Sequence, residues 1–332
     1  MVSIQRARHI LFLRTDRLGE TLLNLPAIAA LKQFLPNASL ALLVHPDLQV
    51  LMSSFPIIDH VIPYPQDAHR AWWIRAYQVG CLLRSHRFDI AVVSNPMKEL
   101  HLAARLAGIP VRVGYNRKWG WLLTHRLEDR KALGERHEAE YNLDLVRRLG
   151  FQTSTPQWPV PHLEREQLEV LQLLEQQGIQ QSEPFIAVHP WTSNPLKEWP
   201  ATRFAALIQQ VGERVPLSVV VIGGPEHRHQ ADAIIPPALP VVNLVGRLTL
   251  NQLAALLARA RLLVSNDSGP VHLAVAVKTK TLVLFGASSP ATGPRRWGPW
   301  GEGHAVIWKA SMEAITVEEV FEALRQMLET KQ

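Results

Sequence analysis

The sequence is short of several features, and each shortage excludes a class of protein. Its 332 residues include one cysteine, Cys81, which excludes an internal disulfide and a zinc or iron–sulfur centre built on cysteines. We expect Cys81 to be buried as a small hydrophobic side chain. No apolar run reaches the ~18–20 residues that a membrane-spanning helix needs, and the first apolar stretch is too short for a signal peptide. These absences indicate a cytoplasmic protein.

Acidic residues are also in the minority. The sequence has 35 Lys and Arg against 29 Asp and Glu, which gives a net charge of +6 and a pI near 9.7. A basic balance suits nucleic acid, an anionic membrane surface or a phosphorylated substrate. Because the sequence has no zinc-finger, homeodomain or RNA-recognition motif, we expect no nucleic-acid partner.

The sequence does contain a repeated alternation of short apolar runs and helical patterns. This alternation is typical of an α/β protein with parallel, doubly wound sheets. With 332 residues, of which 47% are hydrophobic, the chain is long enough for two such domains. Three prolines between residues 156 and 161 predict a stiff linker. We therefore expect a first Rossmann-like domain, a linker, a second Rossmann-like domain and a closing helical segment that packs back toward the first domain: 1–152, 153–162, 163–312 and 313–332.

Three local patterns within this frame give specific expectations. The stretch from Thr21 to Phe34 carries apolar residues at helical spacing and predicts one helix. The stretch from Arg117 to His137 interrupts the alternation and predicts a surface loop that takes part in binding. Thr249 and Gln252 predict a capping box at the start of a helix that ends near Ala260.

The most informative stretch runs from Leu262 to Leu273. An apolar run ends in Asp267, Ser268 and Gly269, and a helix follows, with Pro270 suited to its first position. Such a turn aims backbone N–H groups and the positive end of the helix dipole at one spot, which favours an anion such as phosphate. Asp267, Ser268 and His272 surround that spot. The alternative is an ordinary turn, in which Asp267 and Ser268 only cap the helix.

Two further loops follow apolar runs in the second half of the chain. The loop from Pro190 to Pro200 carries Thr192, Ser193 and Lys197, which suit a diphosphate because hydroxyls donate to its oxygens and an ammonium offsets its charge. The loop from Gly223 to Glu226 combines glycines, which allow close backbone approach, with a carboxylate that can accept from ribose hydroxyls. Taken singly, the first can be a loop with a solvated lysine and the second a simple turn. Three such loops at one sheet edge favour a ligand site.

These stretches resemble the glycosyltransferase family that contains the lipopolysaccharide heptosyltransferases, glycosyltransferase family 9. The resemblance spans nearly the whole chain and is carried by four groups of residues: Leu13 to Glu20 with Leu25 to Ala27, Lys197 to Pro200, Gly223 to Glu226, and Ser265 to Leu273. It implies a GT-B fold, in which two Rossmann-like domains face each other across a cleft. It also implies an inverting, metal-independent transfer of a sugar, usually heptose from ADP-heptose, to a lipid-linked Kdo or heptose acceptor.

The resemblance also assigns roles by position. It implies that the nucleotide-sugar donor is bound by these residues: Thr192, Ser193, Lys197, Glu226, Leu248, Asp267, Ser268, Gly269 and His272. Among them, Glu226 would hold the ribose, Leu248 would lie by the base and Asp267 would contact the heptose. The sequence has no Asp-x-Asp element, which agrees with metal independence. Lys197 and the helix N-terminus would then stabilise the leaving nucleotide in place of a cation.

The catalytic base of the family is an aspartate after the glycine of the first loop, and here that position is Glu20. Glutamate can abstract a proton from an acceptor hydroxyl in the same way, although its carboxylate lies one methylene further out. We expect the helix N-terminus to hold Glu20 ionised and so to lower its basicity. Asp16, in the same loop, is the second candidate for the base. The alternative is that both residues only cap the helix.

Two other functions stay open on the sequence alone. One is a transferase of the same fold that uses another nucleotide sugar, and the other is a nucleotide-sugar-binding member without catalysis, in which Glu20 marks lost activity. Four tryptophans in the first half face either ordinary packing partners or the acceptor lipid and an anionic membrane surface: Trp72, Trp73, Trp119 and Trp121.

Overall fold

A computed structural model describes residues 4–66, 69–153, 157–236 and 239–329, and the chain divides into two compact units, 1–162 and 163–332. Residues 154–156 of the expected linker lie outside the described part of the chain. Along the described ranges, no helix is both long and apolar enough to cross a membrane.

The first unit is built on a parallel sheet of six strands: β1 (His9–Leu13), β2 (Ser39–Val44), β3 (His60–Pro63), β4 (Ile90–Val93), β5 (Val111–Tyr115) and β6 (His125–Leu127). Their spatial order is β3-β2-β1-β4-β5-β6. The connections carry six α-helices: α1 (Leu18–Leu22), α2 (Leu25–Phe34), α3 (Gln49–Ser53), α4 (Trp72–Arg84), α5 (Lys98–Leu106) and α6 (Glu138–Arg148). Since β1 and β4 are neighbours, the strand order reverses between them, which is where such sheets bind ligands.

The second unit repeats this plan with a second parallel sheet: β7 (Phe185–His189), β8 (Ser218–Val221), β9 (Val242–Asn243), β10 (Leu262–Asn266), β11 (Thr281–Phe285) and β12 (Ala305–Trp308). Their spatial order is β12-β11-β10-β7-β8-β9, which, when read from the β9 end, is the order of the first sheet with six added to each number. Its helices are α7 (Glu164–Gln176), α8 (Ala201–Arg214), α9 (Leu250–Arg259), α10 (Gly269–Ala276), α11 (Pro294–Trp297) and α12 (Val317–Glu329). The switch point therefore lies between β7 and β10.

Short 3₁₀ helices fill several of the connections: Ile4–Arg6, Pro46–Leu48, Gly120–Leu122, Lys131–Leu133, Pro195–Lys197, Pro225–Ala233 and Met312–Ala314. The central strands are buried on both faces, which explains why they are continuous apolar runs in the sequence. The predicted α/β class with parallel, doubly wound sheets is confirmed.

The closing helix α12 packs inside the second unit. It lies against α8, and its buried residues Val320 and Leu324 belong to the same core as Phe204 and Trp199. Helix α12 presents its apolar face to that core. The packing expected toward the first domain stays a prediction.

The helix expected from Thr21 to Phe34 is wrong as a single element, because it is divided into α1 and α2. The side chain of Asn24, at the break, donates to the backbone oxygens of Glu20 and Thr21. Pro26 then occupies the first turn of α2, where its missing N–H costs nothing, whereas within a continuous helix it would clash with the preceding turn.

Three further expectations need correction. The loop expected from Arg117 to His137 contains β6, which pairs with β5 as the sixth strand of the first sheet. Cys81 is exposed, since it lies on the solvent side of α4. Helix α10 begins at Gly269, one residue before Pro270. The capping box of Thr249 and Gln252 is confirmed, with both of its hydrogen bonds present.

Candidate active site

The three loops singled out in the second half meet at one edge of the second sheet. They follow β10, β7 and β8, which are adjacent and parallel, so their carboxyl ends lie side by side. The loop that holds Leu248 follows β9, the next strand along the same edge. The order of the strands therefore brings the residues expected at this edge close together. Strand β7 lies between β10 and β8, at the centre of the three loops.

The loop from Pro190 to Pro200 is held against β10 by Asn266, whose side chain is fully buried. Its Oδ1 accepts from the backbone N–H of Trp199 at 3.1 Å, and its Nδ2 donates to the carbonyl oxygen of Pro190 at 2.5 Å. One amide thus bonds both ends of the loop. Asn266 is not among the residues predicted from the sequence, although a polar residue at the end of a buried apolar strand is a signal for such a role.

Within the same loop, the side chains of Glu198 and Asn194 accept hydrogen bonds from the backbone of the loop. Glu198 accepts from the backbone N–H of Thr192 at 3.1 Å, and Asn194 accepts from the N–H of Leu196 at 3.1 Å. The loop is therefore closed on itself, with Thr192 half-buried and Ser193 exposed.

Lys197 and Asp267 form an ion pair at the start of α10. The distance from Lys197 Nζ to Asp267 Oδ2 is 2.5 Å, and the pair joins the β7 and β10 loops. Burial raises the pKa of the Asp267 carboxyl, and the charge and hydrogen bond of Lys197 act in the opposite direction. The ammonium group therefore lies beside the positive end of a helix dipole, which is an arrangement that binds anions.

Ser268 occupies the N-cap position of α10, yet its side chain makes no capping hydrogen bond to the helix. Its Oγ lies 3.0 Å from the Oγ of Ser265 and 3.2 Å from the Nδ1 of His189. Burial lowers the pKa of His189 to about 3, with the nearby His227 adding to the effect, so this imidazole is neutral. For Ser268, the simple capping alternative is therefore wrong.

A stacked pair of rings joins the loop after β7 to the loop after β8. Trp191 lies parallel to His227, with ring centroids 4.9 Å apart, and it covers Gly223 so closely that a Cβ there would stand 2.6 Å from the indole. The Glu226 carboxylate lies 3.3 Å from the Nε2 of His227 and faces solvent. A glycine at position 223 is thus required by the indole above it.

In the first unit, the segment after β1 holds both candidates for the base: Asp16 lies in the loop and Glu20 in helix α1. Asp16 is paired with the buried Arg14, whose Nε lies 2.7 Å from its Oδ1. Arg14 also donates to the carbonyl oxygen of Ser94 at 3.0 Å and lies 3.7 Å from the carboxylate of Glu138. Glu138 in turn accepts from Lys131 at 2.6 Å, and both are buried. Asp16 is therefore part of a charged network that was not predicted from the sequence.

Glu20 lies in the first turn of α1 and is half-buried. Burial is the largest influence on its pKa and raises it above the ordinary value, and the charge of Asp16 adds to this rise. A backbone hydrogen bond and the charges of Arg14 and Arg17 oppose the rise without cancelling it. The expectation that the helix N-terminus lowers the basicity of Glu20 is therefore wrong, because loss of hydration outweighs the backbone hydrogen bond that lowers the pKa.

Comparison with known families identifies the chain. The family described as glycosyltransferase family 9 (heptosyltransferase) matches residues 77–323. The chain is also 28% identical to lipopolysaccharide heptosyltransferase 2 of Escherichia coli K12, over 299 residues that cover 86% of this chain and 84% of that protein. The chain belongs to glycosyltransferase family 9.

Solved structures agree on the fold of this glycosyltransferase. The E. coli ADP-heptose lipopolysaccharide heptosyltransferase II has a TM-score of 0.81 at 23% identity, with 96% of this chain and 98% of that chain covered. An E. coli heptosyltransferase solved with ADP has a TM-score of 0.76 at 19% identity, with 96% and 99% covered. The predicted GT-B class is confirmed.

The glycosyltransferase brings its predicted donor-binding residues together in two groups at the edge of the second sheet. Lys197, Asp267 and Ser268 surround the start of α10, with Gly269 as its first residue and His272 buried in the same helix. Glu226 and Leu248 lie beyond β8 and β9. In the described ranges, no cluster of three or more His, Cys, Asp or Glu is placed to hold a metal ion.

Proposed function

We propose that this glycosyltransferase transfers a heptose from ADP-heptose to a lipopolysaccharide inner-core acceptor, Kdo or heptose, with inversion at the anomeric carbon. The observation that carries the proposal is the Lys197–Asp267 pair at the N-terminus of α10, at the switch point of the second sheet. The names of the relatives support the donor, since one is an ADP-heptose enzyme and another is solved with ADP.

The donor diphosphate is the ligand that suits the start of α10. Lys197, the helix N-terminus and the hydroxyls of Thr192, Ser193 and Ser268 offer positive charge and hydrogen-bond donors to its oxygens. When the bond between the anomeric carbon and the phosphate oxygen breaks, its electron pair stays with the leaving ADP. These groups stabilise the charge that develops there.

The sugar and the nucleoside are assigned to the remaining residues. Asp267 can accept a hydrogen bond from a heptose hydroxyl while it stays paired with Lys197. Glu226 is an exposed carboxylate suited to the ribose hydroxyls, and Leu248 offers an apolar contact to the base. His272, in the first turn of α10, supports either part of the donor.

Glu20 is the proposed base. It takes the proton from the acceptor hydroxyl, whose oxygen attacks the anomeric carbon on the face opposite ADP. Two observations favour Glu20 over Asp16: burial raises the pKa of Glu20, whereas Asp16 is already bonded to the buried Arg14. A raised pKa makes a carboxylate a stronger base, which suits proton abstraction from a hydroxyl.

The acceptor in this proposal is a lipid-linked sugar, so we expect the protein to act at an anionic membrane surface. The cytoplasmic location and the absence of a nucleic-acid partner stay predictions. A metal ion is not part of the proposed mechanism, in which Lys197 and α10 face the diphosphate.

Calorimetric titration tests the donor site. The wild-type protein should bind ADP-heptose and ADP more tightly than UDP or UDP-N-acetylglucosamine. The variant Lys197→Ala should weaken ADP binding by at least about tenfold, since a charge-assisted hydrogen bond contributes about 1.5–3 kcal/mol. The control is Lys309→Ala, which removes another partly exposed lysine with a carboxylate partner, Glu319 at 2.6 Å, and should leave ADP binding unchanged.

Two other results would support an alternative function, and a third would overturn the proposal. Tighter binding of a uridine nucleotide would replace ADP-heptose by another nucleotide sugar. Binding of ADP-heptose without transfer to any inner-core acceptor and without hydrolysis would support a binding protein that lacks catalysis. Failure of the folded protein to bind any nucleotide would overturn the proposal.

A further inference from the structure

One face of α4 is exposed and aromatic. Trp73, Tyr77 and Cys81 recur every four residues along the helix, and all three face solvent, with Trp73 57% and Tyr77 61% exposed. The opposite face packs on α5 through Gly80, where a Cβ would stand 2.8 Å from that of Leu106. The helix is therefore fixed against the unit, and its aromatic face points outward.

A second group of rings extends this face. Trp72 meets Trp119 edge to face, with ring centroids 5.0 Å apart, and Trp119 lies 5.9 Å from Trp121, which is 64% exposed. The ammonium group of Lys98 lies 4.0 Å from the centre of the Trp72 ring. We call these five rings, Trp72, Trp73, Tyr77, Trp119 and Trp121, the aromatic ridge. Trp72 and Trp119 are half-buried and hold the exposed rings in place.

The two segments that carry the ridge contain no acidic residue. Residues 69–88 have four arginines, and residues 111–127 have three arginines and one lysine, without an Asp or Glu in either segment. Arg84 and Arg87 at the end of α4, and Lys118 beside Trp119, are exposed. Arg75 is different, because its guanidinium is bonded to the buried Glu99. The ridge is therefore bordered by positive charge.

We propose that the aromatic ridge and its flanking basic residues form a docking surface for an anionic lipid bilayer. Tryptophan and tyrosine rings favour the headgroup region, where an apolar body and a polar tip are both satisfied. Basic side chains are attracted to anionic headgroups within a Debye length of the surface. Lipid fits better than a second copy of the chain, because a symmetric dimer through this face would bring Arg84, Arg87 and Lys118 of one copy close to the same basic residues of the other.

The docking surface extends the proposed function. It rests on that function only in one respect, namely that a lipid-linked acceptor requires the protein to act at a membrane. The measurement is flotation with vesicles of phosphatidylglycerol and phosphatidylethanolamine, compared with vesicles of phosphatidylcholine alone, without nucleotide or acceptor. The wild type should bind the anionic vesicles, and added salt should weaken that binding.

The ridge itself is tested by the triple variant Trp73→Ser, Tyr77→Ser, Trp121→Ser, which should lose about tenfold or more in binding to anionic vesicles. The matched control is Trp308→Ser, which removes a tryptophan of the second unit that is 58% exposed and should leave vesicle binding unchanged. The double variant Arg84→Gln, Arg87→Gln should weaken binding and reduce its salt dependence.

Several outcomes would overturn the docking surface. These are a wild type that ignores anionic vesicles at low salt, a triple variant that binds them fully, and a Trp308→Ser variant that loses as much as the triple variant. A change in the molecular mass of the protein on substitution of the ridge, measured by light scattering without vesicles, would assign the ridge to self-association. ADP affinity, measured in parallel, should not differ among the variants. Failure of the docking proposal is therefore distinguished from failure of the proposed donor site.

Discussion

At the scale of single residues, burial decides what Glu20 can do. A carboxyl on the first turn of a helix is normally stabilised in its ionised form, yet Glu20 loses enough hydration for its pKa to rise. Asp16, four residues earlier, keeps its charge balanced by Arg14 at 2.7 Å. The two carboxylates therefore have different environments: burial raises the pKa of Glu20, and Asp16 is held in an ion pair.

The substitution Glu20→Gln should lower kcat by about 10²–10⁴-fold, since it removes the proposed proton acceptor and keeps the size of the side chain. ADP affinity, measured by titration calorimetry, should stay the same because Lys197 and α10 are intact. Glu20→Asp keeps a carboxylate at this position and should keep measurable transfer. Full activity of Glu20→Gln in a transfer assay would move the base elsewhere.

The raised pKa of Glu20 also predicts a pH-dependent effect on stability. A folded-state pKa above the unfolded value means that Glu20 gives up its proton less readily in the folded protein than in the unfolded chain. Ionisation of Glu20 therefore lowers the free energy of unfolding as the pH rises above about 4.3. Glu20→Gln should therefore raise Tm at pH 7 and leave it nearly unchanged at pH 4. Thermal unfolding at both pH values measures this, and an equal shift at both would contradict it.

At the scale of elements, the loop from Pro190 to Pro200 depends on one amide, that of Asn266. Because Asn266 bonds Pro190 and Trp199 from inside the sheet, Asn266→Ala leaves buried backbone groups unsatisfied and should lower the free energy of unfolding by about 1–3 kcal/mol. ADP binding should weaken as well, since Lys197 lies within that loop. Asn194→Ala, in the exposed part of the same loop, is the control and should cost less than about 1 kcal/mol. Equal losses in chemical denaturation would remove the special role of Asn266.

Alanine substitutions at two helical glycines should change the free energy of unfolding in opposite directions. At Gly80, a Cβ would lie 2.8 Å from the Cβ of Leu106 and 3.3 Å from the carbonyl oxygen of Ala103, so Gly80→Ala forces α4 and α5 apart and should destabilise the protein by about 1–3 kcal/mol. At Gly212 the close atom is the end of the flexible Leu239 side chain, so Gly212→Ala should keep most of the helix-propensity gain of about 1 kcal/mol. Chemical denaturation of both variants checks the sign of each effect.

At the scale of the whole molecule, buried neutral histidines make the fold sensitive to acid. Burial lowers the pKa of His101 to about 4, of His189 to about 3 and of His304 to about 4. These folded-state values lie below the ordinary value near 6.5. The unfolded chain therefore binds protons that the folded chain does not bind, and the stabilisation present above pH ~6.5 is lost as the pH falls toward 4.

The free energy of unfolding should consequently decrease between pH 6.5 and pH 4, by up to about 1.4 kcal/mol per pH unit for each such histidine. The contribution of one histidine can be tested at His304. Its Nδ1 accepts from the backbone N–H of Thr281 at 3.2 Å, and the side-chain oxygen of an asparagine can accept the same hydrogen bond. His304→Asn should show a shallower dependence on pH than the wild type in urea unfolding. An unchanged dependence would mean that His304 does not contribute.

Much of the candidate site could be predicted because its residues follow strands of a parallel sheet. The turn at Asp267 and the loop that carries Lys197 were recognised from apolar runs that end in small polar residues. Asn266, His189 and Arg14 were missed, since each depends on contacts between segments about 70 to 80 residues apart in sequence. Local patterns do not contain such contacts.

The sequence by itself determined the α/β class, the family and the positions of the loops, because periodic apolar runs and loop motifs are local properties. The tertiary structure decided which groups are dehydrated and which are paired. It raised the pKa of Glu20, tied Asp16 to Arg14, added β6 to the first sheet and exposed Cys81 with the rings of α4. The physical reason is that burial and charge pairing depend on residues that only the folded chain brings together.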